Sequence, residues 1–327
     1  MKNFTYTRAT SIKDAARRPE KSLLIAGGTN LVDRMKVFLD QPTQIIDISR
    51  LDLKKIENTG NGLRLGALVT NTQVADNLEV RKNYPILSRA ILAGASQQIR
   101  NVATVGGNLM QRTRCPYYYD TAFGCNKRQP GSGCPAATGI NRMHAILGAS
   151  DTCIAVNPSD MCVALSALDA VVEVEGVKGR RQIPFSDFHR LPGNQPERDT
   201  TLGDNEIITA VILPANINAQ SGVYLKLRDR ASYSFALISV AAILDIDNNK
   251  VRNARIALGG VAHKPWRSKE AEQFLIGKSV DESVFQQAAD LALRNAQPLE
   301  HNKFKVEMSK RAIRRALMVS AKGGGVA

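Results

Sequence analysis

A chain of 327 residues, 43% apolar and 23% charged, is long enough to build two or three lobes with sizeable cores and is ordinary in composition for a globular protein. Its net charge of +14 is spread along the chain without an RNP-like aromatic motif, a zinc finger or a helix-turn-helix signature, which favours a solvated basic surface or an acidic protein partner over nucleic acid. No apolar run reaches the roughly 18 residues of a bilayer span, and the opening MKNFTYTRATSIKDAARRPEK lacks the apolar core of a secretory signal, so neither membrane insertion nor an export address of its own is expected.

In chain order, SLLIAGGTNLVDRMKVF (22–38) reads as a buried strand, a glycine turn and a helix with Leu31, Met35 and Phe38 on one face. TQIIDISRL (43–51) adds a second strand, so residues 1–55 form a first subdomain of β-α-β type. GLRLGALVTNTQVADN (62–77) continues as a strand and a helix starting near Thr70, capped by Asn71 or Thr72. PILSRAILAGASQQIRN (85–101) reads as one further helix. From Gln111 to Thr152 periodicity is weak, and the stretch is too long for an ordinary connection. SDMCVALSALDA (159–170) then reads as a helix, VVEVEG (171–176) as a strand, and 181–214 as loops closed by a strand. A boundary near residue 218, in ANINAQSG, ends a second subdomain (56–218) that carries an insert at about 111–153. The third unit, 219–327, begins with three strands in VYLKLRDRA and FALISVAAILDIDNNKVRNARIALGGV, with a hairpin turn at Asp247, Asn248 and Asn249. Three helices follow, in SKEAEQFLIG, DESVFQQAADLALRNA and FKVEMSKRAIRRALMVSA, and the tail KGGGVA is expected to fray.

Two glycine loops carry chemistry. In LIAGGTNL a strand delivers Gly27 and Gly28 to a helix start, where backbone N–H groups can converge on a phosphate. The pattern is neither GxGxxG nor GxxxxGK[ST], and such a pair taken alone is more often a tight turn. RNVATVGGNLM (100–110) repeats it, with Gly106 and Gly107 beside the side-chain donors Thr104 and Asn108. Two such loops could grip the two phosphates of one dinucleotide, or be two unrelated turns.

AGGTNL followed by QIRNVATVGGNL resembles the FAD-binding subunits of the molybdenum hydroxylases, the family of xanthine dehydrogenases, aldehyde oxidoreductases and carbon monoxide dehydrogenases. The resemblance runs over nearly the whole chain. PSDMCVALSALDAVVEVEG is similar to the family segment whose acidic residue meets the ribose, here Asp160. NEIITAVILP resembles a stretch near the isoalloxazine, with Ile208 as the contact, and YLKLRDRASYSFALISVAAIL resembles the start of the family's C-terminal domain, with Lys226 near the flavin edge. The resemblance implies an α+β fold: a PCMH-like FAD module in two subdomains, then a C-terminal domain with a three-stranded antiparallel sheet and helices. It implies FAD held by Ala26, Gly27, Gly28, Thr29, Asn30, Leu31, Thr104, Gly107, Asn108, Asp160, Ile208 and Lys226. No catalytic acid or base is demanded, because the cofactor carries the chemistry.

All five cysteines lie between Cys115 and Cys162. Cys115, Cys125, Cys134 and Cys153, spaced Cys-x9-Cys-x8-Cys-x18-Cys, match neither a zinc ribbon nor a bacterial ferredoxin. Zinc, a [4Fe–4S] cluster or two disulfides could each cross-link such a loop. The insert resembles that in the flavin subunits of bacterial periplasmic aldehyde oxidoreductases and of 4-hydroxybenzoyl-CoA reductase, which implies a [4Fe–4S] cluster on these four residues. Cys162 reads as a spare buried thiol. Tyr117, Tyr118, Tyr119 and Phe123 are expected to shield the cluster. Arg112, Arg114, Lys127 and Arg128 either offset its charge or form a solvated face, and His144 either lies at the surface or bonds a cluster sulfur. His189, His263 and His301 are scattered and form no site of their own.

The implied function is electron transfer in a heterotrimeric aldehyde oxidoreductase that converts aldehyde and water to carboxylic acid. A large subunit would hold the molybdenum cofactor, a small one [2Fe–2S] clusters, and FAD here would pass electrons to an external acceptor. Export to the periplasm with a twin-Arg-bearing partner is expected, with a cytoplasmic location as the alternative. The rival readings are a flavin subunit like that of 4-hydroxybenzoyl-CoA reductase and a zinc-stabilised basic adaptor with no redox role.

Overall fold

The structure, a computed structural model, describes residues 1–215 and 217–324. Asn216, inside the expected boundary stretch, and residues 325–327, the end of the tail expected to fray, lie outside the described residues.

Strands Ser22–Ile25 and Gln44–Asp47 pair in parallel, Leu23 opposite Ile45, and helix Leu31–Lys36 makes the crossover a parallel pair needs. A third strand, Thr5–Arg8, pairs in parallel with the other edge of Gln44–Asp47. All four of its residues are exposed, so no alternation of apolar residues marks it in the sequence. Met35 is buried as expected, but Phe38 is not on the helix face: the helix has ended, Phe38 takes φ +61°, and half of it is exposed.

The second sheet is antiparallel, ordered Ile56–Asn58, Gly62–Gly66, Glu206–Pro214, Val171–Gly176, Gly179–Pro184. Leu63, Leu65, Val172 and Val211 join one core with helices Pro85–Ala93 and Asp160–Ala167. Thr70 caps helix Asn71–Asp76, one residue before the expected cap, through a reciprocal pair with Gln73. The helix expected over 85–101 breaks at Gly94, where Ala95 enters φ +51°, and restarts as Gln97–Arg100 under a Ser96 cap. Between Gln111 and Thr152 only two single turns form, Pro116–Tyr119 and Pro135–Ala137.

The third sheet is antiparallel, with Val223–Leu227, Ile238–Asp247 and Lys250–Gly259 as expected and a two-residue fourth strand, Trp266–Arg267. Asn248 and Asn249 take φ +48° and +60°, the left-handed pair that a two-residue hairpin with matching twist requires. Helices Lys269–Leu275, Glu282–Ala292 and Phe304–Ala321 complete this second core around Ile243's neighbours Ala242 and Leu244. The architecture is α+β. Phe285, 1% exposed, is the largest side chain these helices bury. Phe285→Ala is expected to cost about 3–5 kcal/mol, read as a lower denaturation midpoint of the C-terminal unit.

Candidate functional site

Strand Ser22–Ile25 ends in a turn in which Gly28 takes φ +71°. A Cβ on Gly27 would lie 2.1 Å from the carbonyl oxygen of Val102, so the first glycine loop rests directly on the backbone leading into the second. In that second loop Thr104 caps helix Val105–Leu109, its Oγ1 accepting from the N–H of Gly107 at 3.1 Å. The loops and strand Glu206–Pro214 enclose a cleft of about 340 Å³, of the size small-molecule sites have.

The cleft brings together Ala26, Gly27, Gly28, Thr29, Asn30, Leu31, Thr104, Gly107 and Ile208. Arg18, Arg34 and Arg112 also line it, three cations that the flavin motifs do not include. Asn30 Oδ1 accepts from the Arg112 N–H and from Arg34 Nη1, both at 3.0 Å. Its Nδ2 is buried and finds no acceptor in the protein, a state that costs about 1–3 kcal/mol unless a ligand supplies one.

Asn108, Asp160 and Lys226 do not line this cleft. Lys226 Nζ donates to Asp160 Oδ2 at 2.8 Å and to the Ala93 carbonyl at 3.0 Å, and Tyr224 donates to Asp160 Oδ1 at 2.6 Å. Asp160 and Lys226 are thus a nearly buried pair, linked back to the second loop through the neighbouring Ser159, whose Oγ donates to Asn108 Oδ1 at 2.6 Å.

The insert forms a second feature. Cys115, Cys125, Cys134 and Cys153 all line one small enclosed cavity, whose wall also includes Tyr118, Lys127 and His144. All are free thiols, which removes the disulfide reading. Among the described residues no group of three or more His, Cys, Asp or Glu side chains is disposed to hold a metal ion. Burial pushes the Cys115 thiol up to about 12, and burial pushes Cys153 up to about 11 against the pull of Lys127. Such thiols become anionic only beside a strongly cationic centre. Cys162 is fully buried in helix Asp160–Ala167 and belongs to the core.

A model of the FAD binding domain in molybdopterin dehydrogenase matches residues 2–216, and one of the CO dehydrogenase flavoprotein C-terminal domain matches residues 223–319. The chain belongs to the FAD-binding subunits of the molybdopterin dehydrogenases. It is 49% identical over 318 residues to the aldehyde oxidoreductase FAD-binding subunit PaoB of Escherichia coli strain K12, covering 96% of each chain. It is 27% identical to the glyceraldehyde dehydrogenase medium chain of Sulfolobus acidocaldarius, over 88% of this chain and 85% of that one. Among solved structures, carbon monoxide dehydrogenase from Hydrogenophaga pseudoflava superposes with a TM-score of 0.77 at 25% identity, over 99% of both chains. Membership in this family sets aside the adaptor reading.

For a flavin subunit of this family the glycine cleft is the candidate FAD site, and its unpaired Asn30 donor and three arginines suit a dinucleotide. The insert around the cysteines differs from its expected surroundings in several places. His144 is buried, not at the surface, with Nε2 3.1 Å from Cys115 Sγ; burial first and Lys305 second bring its pKa down to about 4. Lys127 is buried too, and Arg128 donates to the carbonyls of Tyr117, Tyr118 and Asp120, so it closes a turn and is no solvated charge. Tyr118 is buried under the Arg112 guanidinium, 5.4 Å from its ring centre, whereas Phe123 is exposed, with its ring in edge contact with Tyr117.

The residues that hold the insert were not visible in its own sequence. Asn302 Nδ2 donates to the carbonyls of Asn141, His144 and Ala145, Lys305 Nζ donates to the His144 carbonyl at 2.8 Å, and Lys127 reaches Asp199 and His263. Each partner is distant in sequence, so no local spacing announces it. For the cleft, Gly27→Ala is expected to cut the FAD content of purified protein at least tenfold, measured by flavin absorbance. Gly60→Ala, whose Cβ would meet nothing within 4 Å and which strains only a turn at φ +76° away from the cleft, is expected to lose some stability and keep its flavin.

Proposed function

We propose that this chain is the FAD subunit of a molybdenum-dependent aldehyde oxidoreductase, with the substrate site on a partner. The observation that carries the reading is the 49% identity to the Escherichia coli aldehyde oxidoreductase subunit over 96% of both chains. In this reading a large subunit holds the molybdenum cofactor and oxidises the aldehyde to the acid, and a small subunit holds [2Fe–2S] clusters. FAD, when bound, supplies a centre that gathers single electrons and releases them in pairs to an external acceptor. This chain's own part is to bind and orient: the loops at Gly27–Asn30 and Thr104–Gly107 hold the dinucleotide, and Arg34 and Arg112 supply positive charge beside it. Ile208 lines the same cleft, whereas Asp160 and Lys226 pair with each other outside it and are not assigned to the dinucleotide.

The insert is proposed to hold a [4Fe–4S] cluster on Cys115, Cys125, Cys134 and Cys153. What supports this is that the four free thiols all line one small cavity. The periplasm, reached with a twin-Arg-bearing partner, is proposed as the location on the resemblance of the insert alone.

Two measurements test these readings. The assembled complex is expected to turn over aromatic aldehydes and to leave an aryl-CoA thioester unreacted; the reverse preference would overturn the aldehyde assignment. Cys125→Ser is expected to abolish the iron content and the brown absorbance, whereas Cys162→Ser keeps both. Equal losses in the two variants would remove the ligand assignment.

A further inference from the structure

We infer that Lys127, Arg112 and Asp199 form a charged relay beside the cysteine cavity that sets the reduction potential of the cluster held there. The inference rests on the proposed [4Fe–4S] reading and adds to it the residues that tune the cluster.

Lys127 follows Cys125 by two residues and lines the same cavity, and its side chain is only 1% exposed. Its ammonium donates to Asp199 Oδ1, to the Pro196 carbonyl at 2.6 Å, and to His263 Nε2 at 2.7 Å. The other ring nitrogen of His263 lies 2.8 Å from the Arg190 carbonyl, where it can only be a donor. Nε2 is therefore the acceptor, and the ring is neutral. On the other side of Asp199, Arg112 Nε faces Oδ2, with its guanidinium over Tyr118 of the cavity wall. Two cations share one carboxylate, so one positive charge among the three is left uncompensated.

Anchoring alone is a poor explanation of this arrangement. Desolvation cancels most of the Coulomb gain of a buried ion pair, and an apolar side chain would hold the loop as well. The field of such a group is another matter, because a partly dry interior screens it far less than water does. Lys127 and the four cysteines line the same cavity, so that field falls on the sulfurs. Burial also works to raise Asp199, and Arg112 and Lys127 outweigh it and hold the carboxyl below its ordinary value, so it stays ionised.

A cluster bound by four thiolates is anionic, and reduction adds one electron without a bond being made or broken at these residues. Positive charge nearby stabilises the reduced form more than the oxidised one and raises the potential; negative charge lowers it. Removing a cation and removing the carboxylate must therefore act in opposite directions. A structural anchor, by contrast, loosens the site whichever partner is lost.

The test is a redox titration of the cluster signal in the assembled holoenzyme, with iron content measured on each sample. Lys127→Met is expected to shift the cluster midpoint to a more negative potential and Asp199→Asn to a more positive one, each with iron retained. Should Lys127→Met lose its iron, Arg112→Gln carries the negative-shift arm. Shifts of the same sign, no shift, or loss of iron from all three variants would overturn the inference and leave the cluster reading standing. An unsubstituted enzyme free of iron would overturn both.

Discussion

The cleft exists because the turn after strand Ser22–Ile25 has no side chain where it meets the backbone at Val102. Contact at that point brings a loop from the parallel sheet against a loop that packs on the antiparallel one, and every other feature of the site is placed relative to it. Asn30 then reaches the backbone of Arg112, which starts the insert, and Arg18 Nη1 reaches the Glu206 carbonyl at 3.4 Å on the far wall. A ligand bound here bridges the two sheets, so binding adds to the docking that the apolar core of Ala15, Ile46, Leu68 and Ile207 already provides.

The insert follows a different logic. It has no core of its own, and its backbone carries only two single turns. Long-range polar contacts, each worth on the order of 1 kcal/mol, fasten it to Asn30 at its start, to Asp199 and His263 near Cys125 and to Asn302 and Lys305 near His144, and Ile146 and Leu147 join the C-terminal core. Cys115, Cys125 and Cys134 sit between these fastenings and Cys153 follows the last of them. Their geometry is therefore inherited from both the flavin module and the C-terminal unit rather than from the loop that supplies them.

Much of the fold was legible because it obeys simple periodicities. The β-α-β unit at 22–47, the helix after Ser159 and the Asn248–Asn249 hairpin each announce themselves by apolar spacing or turn chemistry. Strand Thr5–Arg8 did not, because all its residues are exposed and only its backbone pairing makes it a strand. The site was legible in part for the same reason. Glycines that need positive φ or close approach leave a mark in the sequence, whereas Asp160 and Lys226 are joined to each other by a pairing of distant segments that no local pattern encodes. The burial of Lys127 and His144 was hidden likewise: a charged or polar residue inside an irregular loop looks like surface until its distant partner is placed.

The attachment of the insert to the start of the last helix has a temporal consequence. Asn302 and Lys305 grip a backbone made about 158–161 residues earlier in synthesis. At roughly 5–20 residues per second, the cysteine loop spends on the order of ten seconds outside the ribosome before its final fastening exists. Any cluster that needs ordered sulfurs therefore waits until helix Phe304–Ala321 has been made, and that helix acts as the clock for maturation of the insert.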